Sequence, residues 1–300
     1  MRDKPVLQTG SAEGSPSRGC VTIAVRKRSY LEMAVDMRLS LAEHSDLPLV
    51  LGADWELAAS ALEDFPGVFD DVVRIDDRYR VHRAMQFAAG QVSPFDHTLF
   101  IDADCLVLSD PGVLWPDEDA APVVLTGQLL RAGDEDWNHH GFSTGDLIRK
   151  FDLDGYLKCN GGVFYFRGTE GRLLLEECLA TYVDEVLPRL SVGPWPALGI
   201  PLRGWLGGFL GAELAFGIVG GRRGFGTFPH PGPMYWPGEL AELDPRKPWK
   251  PVCHWIGPLR REAFQHLLEE TRRRRREAGV RDSGTAHWEA EDRRLGGAGP

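Results

Sequence analysis

The sequence lacks the patterns that mark several large classes of protein. Its five cysteines are widely spaced and include no Cys-x-x-Cys pair, which argues against a disulfide framework and against a structural zinc site. It contains no run of 18 apolar residues, and its first 19 residues have no apolar core of the signal-peptide kind. We therefore expect no membrane insertion and a cytoplasmic protein with reduced thiols.

Basic residues are in deficit as well. Lysine and arginine number 34 against 44 aspartates and glutamates, which gives a formal net charge of −10. Nonspecific binding to nucleic acid depends on basic faces, so this balance argues against DNA or RNA as a partner. An acidic chain suits a protein that binds a metal ion, or an anionic substrate carried by a metal ion.

Short apolar runs rich in β-branched residues alternate with helical patterns through the first third of the chain. The runs at 20–25, 47–52, 71–75 and 98–101 predict four strands, and Asp54 is predicted to cap the helix that follows the second. This alternation is typical of βαβ units and predicts an α/β fold with a mostly parallel central sheet flanked by helices. Ligands bind such sheets beyond the carboxyl ends of the strands.

The composition divides the chain into three parts. Residues 1–19 are rich in Gly, Ser, Pro and charge and are predicted to form a disordered N-terminal tail. Residues 20–258 are predicted to form one α/β domain, and residues 259–300 a C-terminal helix and a flexible tail, disordered from 279. That helix, Arg260–Arg276, contains five consecutive arginines. Pairs of Glu and Arg four residues apart favour a solvated face for it.

Two aspartates separated by one residue follow the fourth predicted strand, in the segment LFIDADCLVL (99–108). In extended backbone, Asp102 and Asp104 would point to the same side, about 7 Å apart. Their carboxylate oxygens would suit Mg²⁺ or Mn²⁺ bridging a diphosphate. The alternative is an acidic turn that caps the next element.

Four segments resemble, in the same order, GT-A glycosyltransferases, particularly the glycogenin-like family 8 enzymes. They are VTIAVRKRSYLEMAVDMRLSLAEHSDLPLVLG, HTLFIDADCLVLSDP, CNGGVFYF and VCHWIG. The resemblance spans residues 20–258 and implies the GT-A fold, a nucleotide-sugar donor (usually a UDP-sugar), Mn²⁺ or Mg²⁺, and transfer with retention of the anomeric configuration.

The resemblance also implies three sets of site residues. The metal ion would be held by Asp102, Asp104 and His254. The donor would be bound by Tyr30, Arg80, Asp102, Ala103, Asn160, Gly161 and Gly257, with Tyr30 near the uracil and Arg80 near the diphosphate. Two carboxylates, Glu213 and Asp152, are the implied catalytic candidates near the reacting sugar.

The sequence departs from the family after His254, where a lysine is missing and the chain continues HWIGPLRR. Arg260 or Arg261 would then have to stabilise the leaving diphosphate. This departure leaves open a GT-A-like protein that binds a nucleotide sugar without turnover. A sugar-1-phosphate nucleotidyltransferase is a further alternative, although RKRSY (26–30), after the first strand, lacks the Gly-rich phosphate loop of those enzymes. The sequence names neither the sugar nor the acceptor, and it leaves the oligomeric state open.

Overall fold

The computed structural model describes residues 17–80, 84–134, 136, 142–190, 211–229, 232–254, 259–281 and 286–294. The strands are β1 (Arg18–Ala24), β2 (Leu49–Ala53), β3 (Asp71–Arg74), β4 (His97–Ile101), β5 (Cys105–Val107), β6 (Val123–Arg131), β7 (Gly155–Arg167), β8 (Gly226–Thr227) and β9 (Val252–His254). The α-helices are α1 (Arg28–His44), α2 (Trp55–Asp64), α3 (Ala89–Val92), α4 (Thr144–Phe151), α5 (Gly168–Thr181), α6 (Leu187–Leu190), α7 (Ala212–Arg223), α8 (Pro237–Leu240), α9 (Arg261–Glu277) and α10 (Ala286–Arg294). Short 3₁₀ helices lie at Asp77–Arg80, Ala84–Ala88 and Pro111–Leu114, and a π-helical turn lies at Tyr182–Val186.

Seven strands form the central sheet in the order β3-β2-β1-β4-β7-β6-β8. The four strands predicted from the first third of the chain are mutually parallel, and β8 is parallel to β6. The long strand β7 is antiparallel to both of its neighbours, β4 and β6. The prediction of an α/β fold with a mostly parallel sheet flanked by helices is therefore confirmed.

Alternate residues of the strands face two separate cores. In β1, Cys20 and Ala24 belong to one core, whereas Val21 and Ile23 belong to the other. The first core contains α1 and α9, and the second contains α5 and α7. Because both faces are covered by helices, the inner strands are buried along nearly their whole length, as expected for a parallel sheet.

The second strand pair, β5 with β9, lies outside the central sheet and is antiparallel. It joins a segment just after β4 to a segment about 150 residues later, with Cys105 opposite His254. This pairing brings the C-terminal part of the chain to the carboxyl end of β4.

Two predictions for the C-terminal segment differ from the structure: a solvated face on the Arg-rich helix, and disorder from residue 279. Arg275, the fourth of the five consecutive arginines, is 1% exposed and pairs with Asp36 and Glu32 of α1. After residue 279, α10 forms a helix whose Trp288 side chain is fully buried in the first core. The buried face of α9 is apolar in its first half, at Ala263, Phe264, Leu267 and Leu268, and continues through Arg274 and Arg275 in its second half. The expectation failed because these two arginines pair with carboxylates of α1, and the charge pattern within one helix does not reveal partners on another.

No helix in the described part of the chain is both long enough and apolar enough to cross a membrane.

Candidate functional site

The loop after β1 and the start of α1 lie at the carboxyl edge of the central sheet, next to the end of β2. Arg26 has a positive φ of 70°, and its backbone N–H donates to Asp54 Oδ2 at 2.7 Å. The same carboxylate accepts from Leu57 N–H through Oδ1, which confirms Asp54 as the N-cap of α2. A non-glycine residue in the left-handed region is costly, so its occurrence at a ligand-binding edge points to a constrained site.

Asp102 and Asp104 lie at the same edge, where β4 ends. The backbone N–H of Asp102 donates to Gly162 O at 2.8 Å, and the N–H of Cys105 donates back to Asp102 O at 3.1 Å. The two aspartates therefore lie in a tight turn between β4 and β5, and the prediction of extended backbone across them is wrong. Both remain half-buried, with their carboxyl groups at the end of an apolar strand.

His254 is brought to this turn by β9. Its Nε2 lies 3.2 Å from Asp104 Oδ1, and the residue is 6% exposed. Apart from this charge contact, the buried Asp104 Oδ1 has no hydrogen-bond partner among the described residues. Buried polar atoms are almost always paired, so this oxygen indicates a missing ligand. His254 Nδ1 is buried without a described partner as well, but it lies on the Gly162 side of the ring.

Two consecutive glycines of β7 allow this close packing. A Cβ on Gly162 would lie 2.3 Å from His254 Nδ1, and a Cβ on Gly161 would lie 2.5 Å from Gln86 Oε1. Asn160 holds the backbone here, because its Oδ1 accepts from Gly162 N–H at 2.7 Å. The Asn-Gly-Gly segment therefore lies directly against the acidic turn and the histidine.

The electrostatics of the cluster favour a bound cation. Burial, and secondly the Asp104 carboxylate, raise the pKa of Asp102 to about 7. Burial alone would lower the pKa of His254, but the carboxylates of Asp104 and Asp102 outweigh it and raise this pKa. Both shifts reflect an excess of negative charge in a desolvated place, which a divalent cation would neutralise.

The donor atoms fit such a cation. Asp104, Cys105 and His254 each offer a ligand atom, and these atoms lie within 4.8 Å of one another. Carboxylate and imidazole ligands suit Mn²⁺. Cys105 is the less suitable donor, because burial, reinforced by the Asp104 carboxylate, raises the pKa of its thiol well above the usual value. The predicted ligands Asp104 and His254 are thus adjacent, whereas the third, Asp102, is not part of this group of converging atoms among the described residues. The Asp102 carboxylate contributes to the raised pKa of His254.

Gln86 is a member of the site that the sequence did not suggest. It lies in the 3₁₀ helix Ala84–Ala88, and its Nε2 donates to Asp102 Oδ2 at 2.9 Å. Its Oε1 is buried and has no hydrogen-bond partner among the described residues. The amide therefore fixes the Asp102 carboxylate and leaves an acceptor beside Gly161. A lone glutamine between Met85 and Phe87 carries no pattern that could have revealed this.

Of the two candidate catalytic carboxylates, the structure brings only Glu213 to the cluster. Glu213 lies half-buried in the first turn of α7, and its charge contributes to raising the pKa of His254. Asp152 instead ends α4 as an exposed C-cap with φ of 52°, its N–H bonded to Ile148 O. From Asn160, β7 must run back five residues, about 17 Å, to reach Gly155 beside that cap. The role implied for Asp152 is therefore not supported by its position.

The other residues predicted to bind the nucleotide-sugar donor lie in separate parts of the structure. Ala103 is buried, and its N–H donates to Asp102 Oδ1 at 2.8 Å. Tyr30 lies in the first turn of α1 with the Lys27 ammonium 5.8 Å from its ring centroid. Arg80 ends a 3₁₀ helix, but its side chain lies outside the described residues, as does all of Gly257.

Arg260 and Arg261 were suggested to stabilise the leaving diphosphate in place of the missing lysine, and the structure gives each a different environment. The Arg260 guanidinium donates to Leu243 O at 3.0 Å, so it is engaged in holding the backbone. Arg261 is exposed at the first position of α9. Neither arginine contacts Asp102, Asp104 or His254 among the described contacts.

No family model matches the sequence, and no curated protein is similar enough in sequence to match it. Solved structures do match the fold. The galactosyltransferase LgtC, crystallised with donor and acceptor sugar analogues, is 14% identical with a TM-score of 0.55, covering 91% of this chain and 99% of its own. The bifunctional glycosyltransferase WbbM (TM-score 0.51, 13% identity) matches 88% of this chain and 52% of its own. The glycosyltransferase GlyE from Streptococcus pneumoniae TIGR4 (TM-score 0.50, 12% identity) matches 88% and 65%. The chain thus has the fold of GT-A glycosyltransferases, as its resemblance to them implied.

Proposed function

We propose that this protein is a metal-dependent glycosyltransferase that moves a sugar from a nucleotide-diphosphate donor, a UDP-sugar, to the hydroxyl of an acceptor with retention of configuration. The observation that carries the proposal is the 3.2 Å contact of Asp104 Oδ1 with His254 Nε2 at the end of β4, where the buried Oδ1 has no hydrogen-bond partner in the described part of the chain. This edge is where ligands bind open α/β sheets.

Asp104 and His254 would hold the ion from two sides. Asp102, whose carboxylate accepts a hydrogen bond from Gln86 Nε2, would be the third ligand. When bound, a divalent cation supplies Lewis-acid stabilisation to the leaving diphosphate. Gly161 and Gly162 leave backbone without side chains beside this group, so a donor can approach closely. We assign contact with the donor sugar to Asn160 and Gly161, and contact with the uracil to Tyr30.

Glu213 is the candidate for the carboxylate near the reacting carbon. It lies in the first turn of α7, and its negative charge contributes to the raised pKa of His254. A carboxylate at this position could orient the acceptor hydroxyl and stabilise positive charge that develops on the sugar.

Release of UDP from UDP-glucose, UDP-galactose and UDP-N-acetylglucosamine tests the proposal, with Mn²⁺ and separately with EDTA. We expect at least one donor to be hydrolysed slowly in Mn²⁺ and none in EDTA. His254→Gln should lose this activity. The matched control His266→Gln, at a half-buried position on α9, should keep it.

The absence of the family lysine favours one other reading, a fold that binds a nucleotide sugar without turnover. Thermal unfolding separates the two, because a donor at about 100 times its dissociation constant adds about 2.7 kcal/mol to the stability of the folded state. A Mn²⁺-dependent rise in melting temperature without UDP release supports the binding protein. If no donor raises the melting temperature and no donor releases UDP, the proposed function is contradicted.

A further inference from the structure

The three side chains that converge after β4 include a soft donor as well as two harder ones. One ligand atom each from Asp104, Cys105 and His254 lies within 4.8 Å of the other two. Carboxylate oxygen suits Mg²⁺ and Mn²⁺ and imidazole nitrogen suits several transition metals, whereas thiolate sulfur selects Zn²⁺ and Cu⁺. A set of one oxygen, one nitrogen and one sulfur is therefore better matched to zinc than to manganese.

The spacing of the first two donors fits a tetrahedral ion. Asp104 Oδ1 lies 3.2 Å from His254 Nε2. Two ligands bound at about 2.0 Å to one tetrahedral zinc ion are about 3.3 Å apart. His254 is 6% exposed, and the buried Oδ1 has no hydrogen-bond partner within the described ranges. The fold therefore already holds these two atoms at the separation that zinc requires.

The pairing of β5 with β9 adds the third donor. Cys105 lies directly opposite His254 in this antiparallel pair, where opposite Cβ atoms are about 4.5–5.5 Å apart. The Cys105 side chain is fully buried, and its thiol donates only a weak hydrogen bond, to Gly162 O at 3.8 Å. A movement of the sulfur by about 1 Å would bring it within bonding distance of the same ion. The thiol therefore loses little when a metal replaces its proton.

The charges of the three residues balance those of one zinc ion. A neutral thiol is a poor ligand for Mn²⁺, but Zn²⁺ displaces the thiol proton, which leaves to solvent. The Asp104 carboxylate and the Cys105 thiolate then neutralise the dication, and His254 contributes a neutral nitrogen. Buried charges are tolerated when they are fully paired, so a neutral centre of this kind suits a desolvated place.

We propose that Asp104, Cys105 and His254 form a zinc site that overlaps the candidate Mn²⁺ site, and that Zn²⁺ bound there inhibits the enzyme. Such ligands bind zinc more tightly than manganese, so zinc needs no diphosphate to complete the site. Three protein ligands leave a tetrahedral ion one open position, which is too few for two diphosphate oxygens. The inhibition rests on the proposed function, whereas the zinc site does not.

Co²⁺ is the probe for the thiolate, because zinc has no absorption of its own and a thiolate bound to Co²⁺ gives an intense charge-transfer band in the near ultraviolet. We expect metal-free protein without donor to develop this band with one equivalent of Co²⁺ and to lose it when Zn²⁺ is added. Cys105→Ala and His254→Gln should not develop it. Absence of the band in the wild type overturns the proposal even if a variant fails to fold.

Cys253→Ala is the matched control for Cys105→Ala. Cys253 is equally buried, on the partner strand, but it is not a member of the converging group in the described part of the chain. The charge-transfer band should therefore persist in Cys253→Ala. A band that is unchanged in Cys105→Ala, or that is lost in Cys253→Ala instead, overturns the assignment of Cys105.

Competition with a chromophoric chelator measures what the thiol contributes to affinity. Zn²⁺ should bind the metal-free wild type at least about 100-fold more tightly than Mn²⁺ does. Cys105→Ala should lower the affinity for Zn²⁺ at least about tenfold more than it lowers the affinity for Mn²⁺, because only zinc uses the sulfur. Equal losses for the two metals would show that Cys105 merely packs the core, and would contradict the zinc site.

UDP release tests the inhibition separately. With Zn²⁺ in excess over protein and Mn²⁺ in tenfold excess over Zn²⁺, a 100-fold preference for zinc should reduce wild-type release about tenfold. Cys105→Ala should need about tenfold more Zn²⁺ for the same reduction. Release that resists zinc contradicts the inhibition. If no donor releases UDP in Mn²⁺, the proposed function and the inhibition both fail, whereas the Co²⁺ band still decides the zinc site.

Discussion

At the scale of the residue, the site depends on the absence of a side chain. The His254 ring occupies the space where a Cβ of residue 162 would lie, 2.3 Å from Nδ1. Neighbouring Gly161 faces Gln86 in the same way. Gly162 has no positive φ, so a close approach and not backbone conformation requires glycine here.

We expect Gly162→Ala to destabilise the protein by about 1–3 kcal/mol, the usual cost of overpacking, and to weaken Mn²⁺ binding. The methyl group must displace the His254 ring, which is wedged beside Asp104. Chemical denaturation and Mn²⁺ titration measure the two effects.

Gly145→Ala is the control for this substitution. A Cβ at residue 145, in the first turn of α4, would lie no closer than 3.5 Å to its neighbours, which is an ordinary contact. Alanine should therefore be neutral or stabilising there, since it favours a helix. If Gly162→Ala behaves like Gly145→Ala, the packing around His254 is looser than described.

At the scale of the element, the C-terminal helices are held to α1 by a buried carboxylate. Asp36, which is 2% exposed, accepts from the Arg275 guanidinium of α9 and, at 2.8 Å each, from His287 and Trp288 of α10. Arg275 also donates to Glu32 Oε2 at 2.9 Å. Helices α9 and α10 are therefore part of the folded core.

Removing the arginine should be costly. Arg275→Met leaves Asp36 and Glu32 buried with one cation fewer, and breaking a buried ion pair from one side typically costs about 3–5 kcal/mol. Urea unfolding measures the loss. Arg276→Met, at the exposed neighbouring position, should change stability by no more than about 0.5 kcal/mol. A loss below about 1 kcal/mol in Arg275→Met would show that the C-terminal helices are held by other contacts.

The ion pairs between α1 and α9 predict that the stability of the fold depends on pH. Burial alone would raise the pKa of Glu43, but its ion pairs with Arg274 and Arg273 hold this pKa below its usual value. A lowered pKa in the folded state means stability that is present above the unfolded value, about 4.3, and is lost as the pH falls through the folded value. We expect Glu43→Gln to lower the unfolding free energy at pH 7, and the difference from wild type to shrink below about pH 4.

Metal-free protein is used for this pH series, so that the candidate metal site does not contribute. Glu63→Gln, at an exposed position of α2, serves as the control, and its difference from wild type should stay constant across the series. A Glu43→Gln difference that is also constant with pH would contradict the assigned ion pairs.

At the scale of the whole molecule, the first third of the chain was predictable because its order is local. Each strand from β1 to β4 is a short apolar run, and the parallel sheet follows from their alternation with helices. The position of Asp102 at a ligand-binding edge followed directly from the end of β4. Physical reasoning on one stretch of sequence sufficed for these features.

The remainder depends on contacts between distant segments. The pairing of β9 with β5 places His254 beside Asp104, and no spacing in the sequence specifies it; only the family resemblance suggested it. Gln86 reaches Asp102 from a 3₁₀ helix that carries no pattern. The resemblance implied a role for Asp152 near the reacting sugar, whereas in the structure its backbone ends α4. The buried face of α9 ends in two arginines that pair with carboxylates of α1, and the charge spacing within one helix did not reveal these partners.

The central claim is that Asp104, with His254 and Asp102, holds a divalent cation against the diphosphate of a donor. Its most direct test is Mn²⁺-dependent release of UDP by wild type and by Asp104→Asn. Asparagine keeps the shape of aspartate but lacks its charge. We predict that the variant is folded, melts without metal at or above the wild-type temperature because a repelling carboxylate pair is relieved, and loses UDP release by about 100-fold or more. Mn²⁺-dependent release by Asp104→Asn at the wild-type rate would contradict the claim.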